Sequence, residues 1–177
     1  MLVPPRTVTQ VYYHKTRVAF DIHLRGALKE LLPGGLFPSP RDEELDQFLQ
    51  WDDWRVFGLL AEKKGGENGE RLSNRNHFRQ VYETPETLSP QDAEHLGRIK
   101  SALGELLVAE EPAQKSWYKV DRLHDIPVVD GPKVAPLSDY SKVVENLRPN
   151  NQVLLYVRKE DVPRAREIIA ELEKEND

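Results

Sequence analysis

The sequence VLLYVR at residues 153–158 is rich in valine, leucine and tyrosine, and this composition predicts a β-strand. A helix is predicted directly after it, starting near Asp161 with Pro163 in its first turn. One face of that helix carries four apolar residues at helical spacing, namely Ala165, Ile168, Ile169 and Leu172. This strand–helix unit indicates that the end of the chain is not purely helical.

Further strands and a helix are predicted upstream of this unit. Residues 117–123 and 126–130 have strand composition, and residues 139–146 are predicted to form a helix. The second half of the chain is therefore expected to be a small mixed subdomain of strands and helices.

The first half is predicted to be mainly helical. Residues 7–32 carry one apolar face and a second apolar strip nearly opposite to it, which is typical of a helix packed between neighbours. The first face holds Phe20, Leu24, Ala27, Leu28 and Leu31, and the second holds Val11, Val18 and Ile22. The sequence PGG at residues 33–35 ends this helix.

Shorter elements follow. Helices are predicted at residues 42–50, 54–64, 70–76 and 90–108, an extended segment at 78–82, and a flexible glycine-rich break at 65–69. The predicted fold class is α+β, with a helical N-terminal half and a small mixed strand and helix C-terminal subdomain. The predicted regions are 1–110 and 111–177, and a single core shared by both halves is the alternative.

Composition narrows the classes of function. The chain has 177 residues, 38% hydrophobic and 31% charged residues, a net charge of −5 and a pI near 5.6. Such acidity argues against duplex nucleic-acid binding, since that needs a basic footprint. The absence of cysteine excludes disulfides and thiolate metal sites, and no stretch has the length of a membrane span or a signal peptide. A soluble cytoplasmic protein is expected.

No complete catalytic centre is predicted in the sequence. There is no HExxH, GxSxG or P-loop pattern, and the dipeptide at His124 and Asp125 is interpreted as a turn rather than a metal site. The histidines are scattered, at His14, His23, His77, His95 and His124. We therefore predict no catalytic residue and no metal ligand in this chain.

Basic and aromatic residues are the more informative signal. The sequence QVYYHK at residues 10–15 places Tyr12 beside His14 and Lys15, and such a group suits the base and phosphates of a nucleotide. Three arginines recur at a spacing of four, Arg71, Arg75 and Arg79. The simpler interpretation is a solvated helix face with arginine–glutamate pairs, and core packing for the tyrosines.

The order of these motifs resembles a known family. QVYYHK, the helix start WDD at 51–53, the run RNHFR at 75–79 and the terminal strand–helix unit resemble the part of HD-domain phosphohydrolases that follows their catalytic core. The resemblance is strongest to the deoxynucleoside triphosphate triphosphohydrolases, which include the SAM- and HD-domain enzyme. It covers most of the chain, although each motif is loose.

The resemblance implies roles for particular residues. Tyr12 matches a tyrosine that lies against the substrate, His14 and Lys15 match a pair that reaches phosphates, and Arg79 matches a phosphate-facing cation. Arg75 opens the same run and is grouped with these nucleotide-binding candidates. The family's metal ligands, an H…HD…D set, are not found in this sequence, so the divalent metal is expected in a core outside it.

The leading hypothesis is a C-terminal fragment of an HD-domain nucleotide phosphohydrolase of the dNTP type. It would contribute nucleotide and phosphate contacts and homo-oligomer contacts, and would be inactive alone. The alternative is a non-catalytic protein-interaction or assembly module. Single-stranded RNA binding through residues 117–119 is a third option that the acidity of the chain disfavours.

Overall fold

The computed structural model describes residues 14–41, 43–115, 126–145 and 150–174. The helices are α1 (Lys15–Leu31), α2 (Leu45–Leu49), α3 (Asp53–Ala61), α4 (Gly66–Ser73), α5 (Pro90–Leu103), α6 (Leu137–Tyr140), α7 (Lys142–Glu145) and α8 (Val162–Lys174). The strands are β1 (Arg79–Glu83), β2 (Leu107–Lys115), β3 (Pro127–Asp130), β4 (Lys133–Pro136) and β5 (Asn150–Val157). The α+β fold class is confirmed.

Strand β5 is the centre of a three-stranded antiparallel sheet with the order β1–β5–β2. Side chains along a strand alternate between the two faces of the sheet. Leu155 and Val157 pack into one cluster, Leu154 and Tyr156 into another, and all four are buried. Both faces of β5 are covered by other elements, and this explains why the sequence of the strand is apolar throughout.

Helices cover the two faces differently. Helices α5 and α8 pack on one face through Leu96, Ile99, Leu103, Ala165 and Ile169. Helix α1 lies on the other face, where its Ala19 joins Leu154 and Tyr156. Val18 and Ile22, from the second predicted strip, pack with Ala19 on this face, and α1 also contacts α4.

The predicted helix at 90–108 is too long at its end. Ser89 caps α5, with its hydroxyl accepting a hydrogen bond from the amide of Asp92 at 3.1 Å. The helix ends at Leu103, because Gly104 has a φ of 50° and turns the chain. Strand β2 then begins at Leu107 and pairs with β5.

The glycine-rich break predicted at 65–69 is wrong, because helix α4 begins at Gly66. Gly65 has a φ of 91° and starts this helix, and a Cβ there would lie 3.2 Å from the Cβ of Ala27 in α1. A Cβ on Gly69 would overlap the carbonyl oxygen of Lys64. These glycines therefore permit close helix packing rather than flexibility.

Other predictions differ in detail. The helix predicted at 139–146 is replaced by the two short helices α6 and α7, and the β3–β4 hairpin adds a strand that was not predicted. The strand predicted at 117–123 and the helix before residue 14 lie outside the described residues. Strand β2 continues across residues 110 and 111, where the region boundary was predicted, and the division itself stays a prediction.

None of the described helices has the length and apolar content required to cross a bilayer.

A cationic cavity at the start of the first helix

A cavity of about 540 Å³ lies where the start of α1, the segment leading into β1 and the start of α8 meet. Its volume is within the range of small-molecule sites, roughly 300–1,000 Å³. Four of its lining residues are cationic, namely Lys15, Arg79, Lys159 and Arg166. The others are Thr16, His77, Phe78, Gln80 and Val162, so no carboxylate is present among the described residues that line it.

The start of α1 is fixed to the central strand of the sheet. The Tyr156 hydroxyl donates a hydrogen bond to the backbone carbonyl of Lys15 at 3.1 Å. Burial raises the pKa of Tyr156, so the hydroxyl keeps its proton at neutral pH. His14 caps the helix, with its Nδ1 accepting from the amide of Thr16 at 3.3 Å. Lys15 is thereby held at one side of the cavity.

A buried histidine in α1 fixes the segment that supplies Phe78 and Arg79. The amide of Phe78 donates to Nε2 of His23 at 3.2 Å, and Nδ1 of His23 lies 2.9 Å from Oδ1 of Asn68 in α4. These partners require His23 to be neutral with its proton on Nδ1. Burial, the largest effect, lowers the pKa of His23 and favours that neutral form. The scattered histidines gave no indication of this role.

Arg79 is oriented by its neighbour His77. A guanidinium nitrogen of Arg79 donates to Nε2 of His77, and the His77 ring lies 4.9 Å from that of Phe20 in α1. Burial lowers the pKa of His77, and the positive charge of Arg79 lowers it further. The imidazole is therefore a neutral acceptor that holds Arg79 at the cavity wall.

Arg75 occupies a different position. It follows the end of α4 with a φ of 54°, and its amide donates to the carbonyl of Leu72 at 3.2 Å. The amide of Asn76 donates to the carbonyl of Arg71 at 2.9 Å, which completes a Schellman motif. The side chain of Arg75 is exposed, and Arg75 does not line the cavity.

The structure brings together some of the predicted residues. Lys15 and Arg79 line the same cavity, and His14 is exposed at the helix start beside them without lining it. Tyr12 lies outside the described residues. The nucleotide-binding roles of all five residues stay predictions.

Sequence reasoning missed His77, Lys159 and Arg166. Lys159 lies in a short turn before α8 and Arg166 lies within α8, so no helical spacing in the sequence links the two residues.

A second cavity of about 580 Å³ also has Phe78 in its lining. Its lining has mixed charge, since Arg71 pairs with Glu67 at 2.8 Å and Arg25 pairs with nearby Glu111. Arg71 also lies 5.1 Å above the centre of the Phe78 ring. Because its three arginines have carboxylate partners and Glu67 and Glu105 also line it, this cavity is less suited to an anion than the first.

The cationic cavity is suited to binding a multiply charged anion. Lysine and arginine provide charge-assisted hydrogen bonds to phosphate oxygens, and the neutral His77 orients Arg79 among these cations. Within the described ranges, no three histidine, aspartate or glutamate side chains are grouped so that they could hold a metal ion.

Comparison with known proteins gives structural neighbours only. No family model and no curated protein matches the sequence. A hypothetical protein from Aquifex aeolicus has a similar crystal structure, with 24% identity and a TM-score of 0.66, covering 93% of this chain and 42% of that one. A phosphohydrolase from Bacteroides thetaiotaomicron VPI-5482 is more distant, with 21% identity and a TM-score of 0.48, covering 87% of this chain and 48% of that one. The chain thus spans less than half the length of either neighbour, and the likeness to the Aquifex protein concerns the fold.

Proposed function

We propose that the cationic cavity binds the phosphate groups of a nucleoside triphosphate. The chain would supply this binding surface to a nucleotide phosphohydrolase of the HD-domain, dNTP triphosphohydrolase type. The observation that carries the proposal is the convergence of Lys15, Arg79, Lys159 and Arg166 on one cavity, with no carboxylate among the described residues that line it. The resemblance of QVYYHK and RNHFR to that family supports the choice of ligand.

The charge of the cavity contrasts with that of the chain. The chain as a whole carries a net charge of −5, yet this wall concentrates four cations. Cations that converge without a counter-charge repel one another, and a polyphosphate relieves that repulsion as it binds. A triphosphate has enough negative charge to engage all four, whereas a nucleoside has none.

The residues of this chain would bind and orient, and no bond-breaking step is assigned to them. The enzymes that the sequence motifs resemble use a metal held by histidine and aspartate ligands, and the described residues offer no such group. The metal therefore does not fit the described part of this chain, and the role of these residues ends at binding the phosphates. His77 would keep Arg79 directed at the phosphates through the hydrogen bond between the two side chains.

Calorimetry of the chain with dGTP, GTP and dATP tests the proposal. Binding is expected for the triphosphates, and deoxyguanosine should fail to bind. Arg79→Ala, Lys15→Ala and Arg166→Ala should each weaken binding by about tenfold or more, because a hydrogen bond to a charged group contributes about 1.5–3 kcal/mol. Raising the salt concentration should weaken binding as well.

Arg164→Ala is the matched control. Arg164 lies two positions from Arg166 on the same helix, but it is exposed, contacts Glu167 at 3.3 Å and does not line the cavity. Its loss should leave the affinity unchanged. Absence of triphosphate binding, or an equal loss of affinity in Arg164→Ala and Arg166→Ala, would refute the proposal.

An assembly module is the second candidate function. Trp54 and Phe57 of α3 are 84% and 63% exposed, which is a specific reason to expect a protein contact. Nucleotide binding and assembly use different surfaces of the chain, so calorimetry and mass measurement separate the two candidates.

A further inference from the structure

Helix α3 carries an apolar stripe on its outer side. Trp54, Phe57, Gly58 and Ala61 follow the spacing i, i+3, i+4 and i+7, which puts them on one face of the helix, and all four are exposed. The opposite side of α3 already meets the core through Leu60, which is buried. The helix is therefore apolar on two sides, with only one of them covered by the described residues.

Gly58 indicates that another backbone approaches this stripe. A glycine inside a helix costs about 1 kcal/mol relative to alanine. Nothing in the described chain requires it, because a Cβ at Gly58 would meet no atom within 4 Å. With Ala61 one turn further on, the middle of the stripe is shallow and is flanked by two large aromatic side chains. This shape admits a helix at a short interaxial distance.

The charges beside the stripe are complementary to those of a second copy of the same helix. Arg55 and Glu62 lie seven positions apart, so they lie on the same side of α3, one near its start and the other just after its end. In an antiparallel pair related by a two-fold axis, Arg55 of each copy faces Glu62 of the partner subunit. Both side chains are exposed. Arg55 now contacts Gln50 and lies 4.3 Å from the centre of the Trp51 ring, and Glu62 contacts Lys64; exchanging such surface contacts costs about 1 kcal/mol or less each.

We propose that two copies of this chain associate through antiparallel packing of α3 on α3, with the two-fold axis near Gly58. Gly58 lies close to the midpoint between Arg55 and Glu62, which is where such an axis must pass. Trp54 and Phe57 of each copy bury their rings against the partner helix. The proposal is independent of the phosphate-binding cavity, since it uses none of the residues that line it.

The surface area that the two copies bury determines how stable the proposed dimer should be. A buried aromatic side chain contributes roughly 150–250 Å², so Trp54 and Phe57 together offer roughly 300–500 Å² per copy. A standard stable interface needs about 800 Å² per partner. The dimer is therefore expected to be weak and to form in a concentration-dependent manner.

Sedimentation velocity across a series of concentrations tests the proposal. The chain should change from monomer to dimer as its concentration rises, and Trp54→Ala and Gly58→Leu should each weaken the dimer by about tenfold or more. Gly97→Leu is the matched control, because Gly97 is also an exposed helical glycine with no atom within 4 Å of a Cβ. It should leave the dimer intact.

Charge reversal tests the orientation of the two helices. Arg55→Glu and Glu62→Arg should each weaken association, and the double variant should restore it. Because the chain has no cysteine, Gly58→Cys introduces a single thiol, which should cross-link to its own copy under mild oxidation, whereas Gly97→Cys should not.

Three results would each overturn the proposal. The chain could stay monomeric at every concentration, or a dimer could form that is insensitive to Trp54→Ala and Gly58→Leu. The double charge variant could also associate no better than the single variants. A circular dichroism spectrum of each variant confirms that α3 remains folded.

Discussion

The hydroxyl of Tyr156 donates a hydrogen bond to the backbone carbonyl of Lys15 at 3.1 Å, joining the central strand to the first residue of α1. Tyr156 is fully buried, and its ring packs against Ala19. This contact connects two parts of the chain that are separated by 141 positions. It therefore bears on both the stability of the fold and the position of the cavity.

Tyr156→Phe should lower the free energy of unfolding by about 1 kcal/mol, because it removes this hydrogen bond and keeps the ring. Tyr156→Ala should cost about 3–5 kcal/mol, since the ring leaves a cavity in the core. Urea denaturation measures both values. Tyr140→Phe is the control, because Tyr140 is 43% exposed and should show little change. Equal losses in Tyr156→Phe and Tyr140→Phe would contradict the role of the hydrogen bond.

His23 should make stability depend on pH. Burial lowers its pKa in the folded chain below the ordinary value of 6.5, so below that pH the unfolded chain binds a proton that the folded chain does not. The free energy of unfolding should therefore fall as the pH drops from about 7 towards the lowered pKa. The pKa of His77 is lowered too and acts in the same direction.

His23→Gln separates the two effects of this residue. The variant should be less stable at pH 7.5 by about 1–3 kcal/mol, because the amide of Phe78 and the side chain of Asn68 lose well-placed partners. Its stability should also change less between pH 7.5 and pH 5.5 than that of the unmodified chain. Urea denaturation at the two pH values checks this, and an unchanged pH dependence would show that His23 does not titrate as argued.

Arg75→Gly should raise the free energy of unfolding by up to about 1 kcal/mol. Arg75 has a φ of 54° at the end of α4, a conformation that glycine adopts without the steric cost of a Cβ. Arg75→Ala keeps the Cβ and should not stabilise, so it controls for the loss of charge. Thermal denaturation distinguishes the two variants. Triphosphate affinity should be unchanged in both, since Arg75 does not line the cavity.

Gly69→Ala should destabilise the chain by about 1–3 kcal/mol, because the added methyl group overlaps the carbonyl of Lys64 and crowds Leu60. Gly97→Ala should instead stabilise it by about 1 kcal/mol, since Gly97 lies in open space within a helix. Urea denaturation of the pair compares a glycine required by packing with one that is not. A stable Gly69→Ala variant would show that α4 adjusts its position.

Local pattern predicted several elements well. Strand β5 and helix α8 were visible as an apolar run followed by a proline-containing helix start, and α5 was visible from its serine cap. The ends of elements were predicted less well, because the end of α5 depends on Gly104 and on the pairing of β2 with β5. The glycines at 65–69 were misinterpreted because the need for close packing arises from other helices.

The candidate site was predicted in part. Lys15 and Arg79 stood out through their neighbours in the sequence, and both line the cavity. Lys159 and Arg166 did not, because their relation to Lys15 exists only after α1 and α8 have packed on the two faces of the sheet. Arg75 fits the arginine spacing, yet the chain turns at that residue and leaves it outside the cavity.

The sequence by itself determined which segments are apolar enough to form the core, and it marked QVYYHK and RNHFR as cationic segments suited to phosphate. Only the tertiary structure decided which cations share a cavity. It also showed that His23 anchors one of those segments and that α3 leaves an apolar face uncovered by the described residues. The physical reason is the distance along the chain over which each effect acts. Hydrophobic periodicity and helix capping depend on residues a few positions apart. The grouping of charges in a cavity and the exposure of a helix face depend on contacts between distant segments.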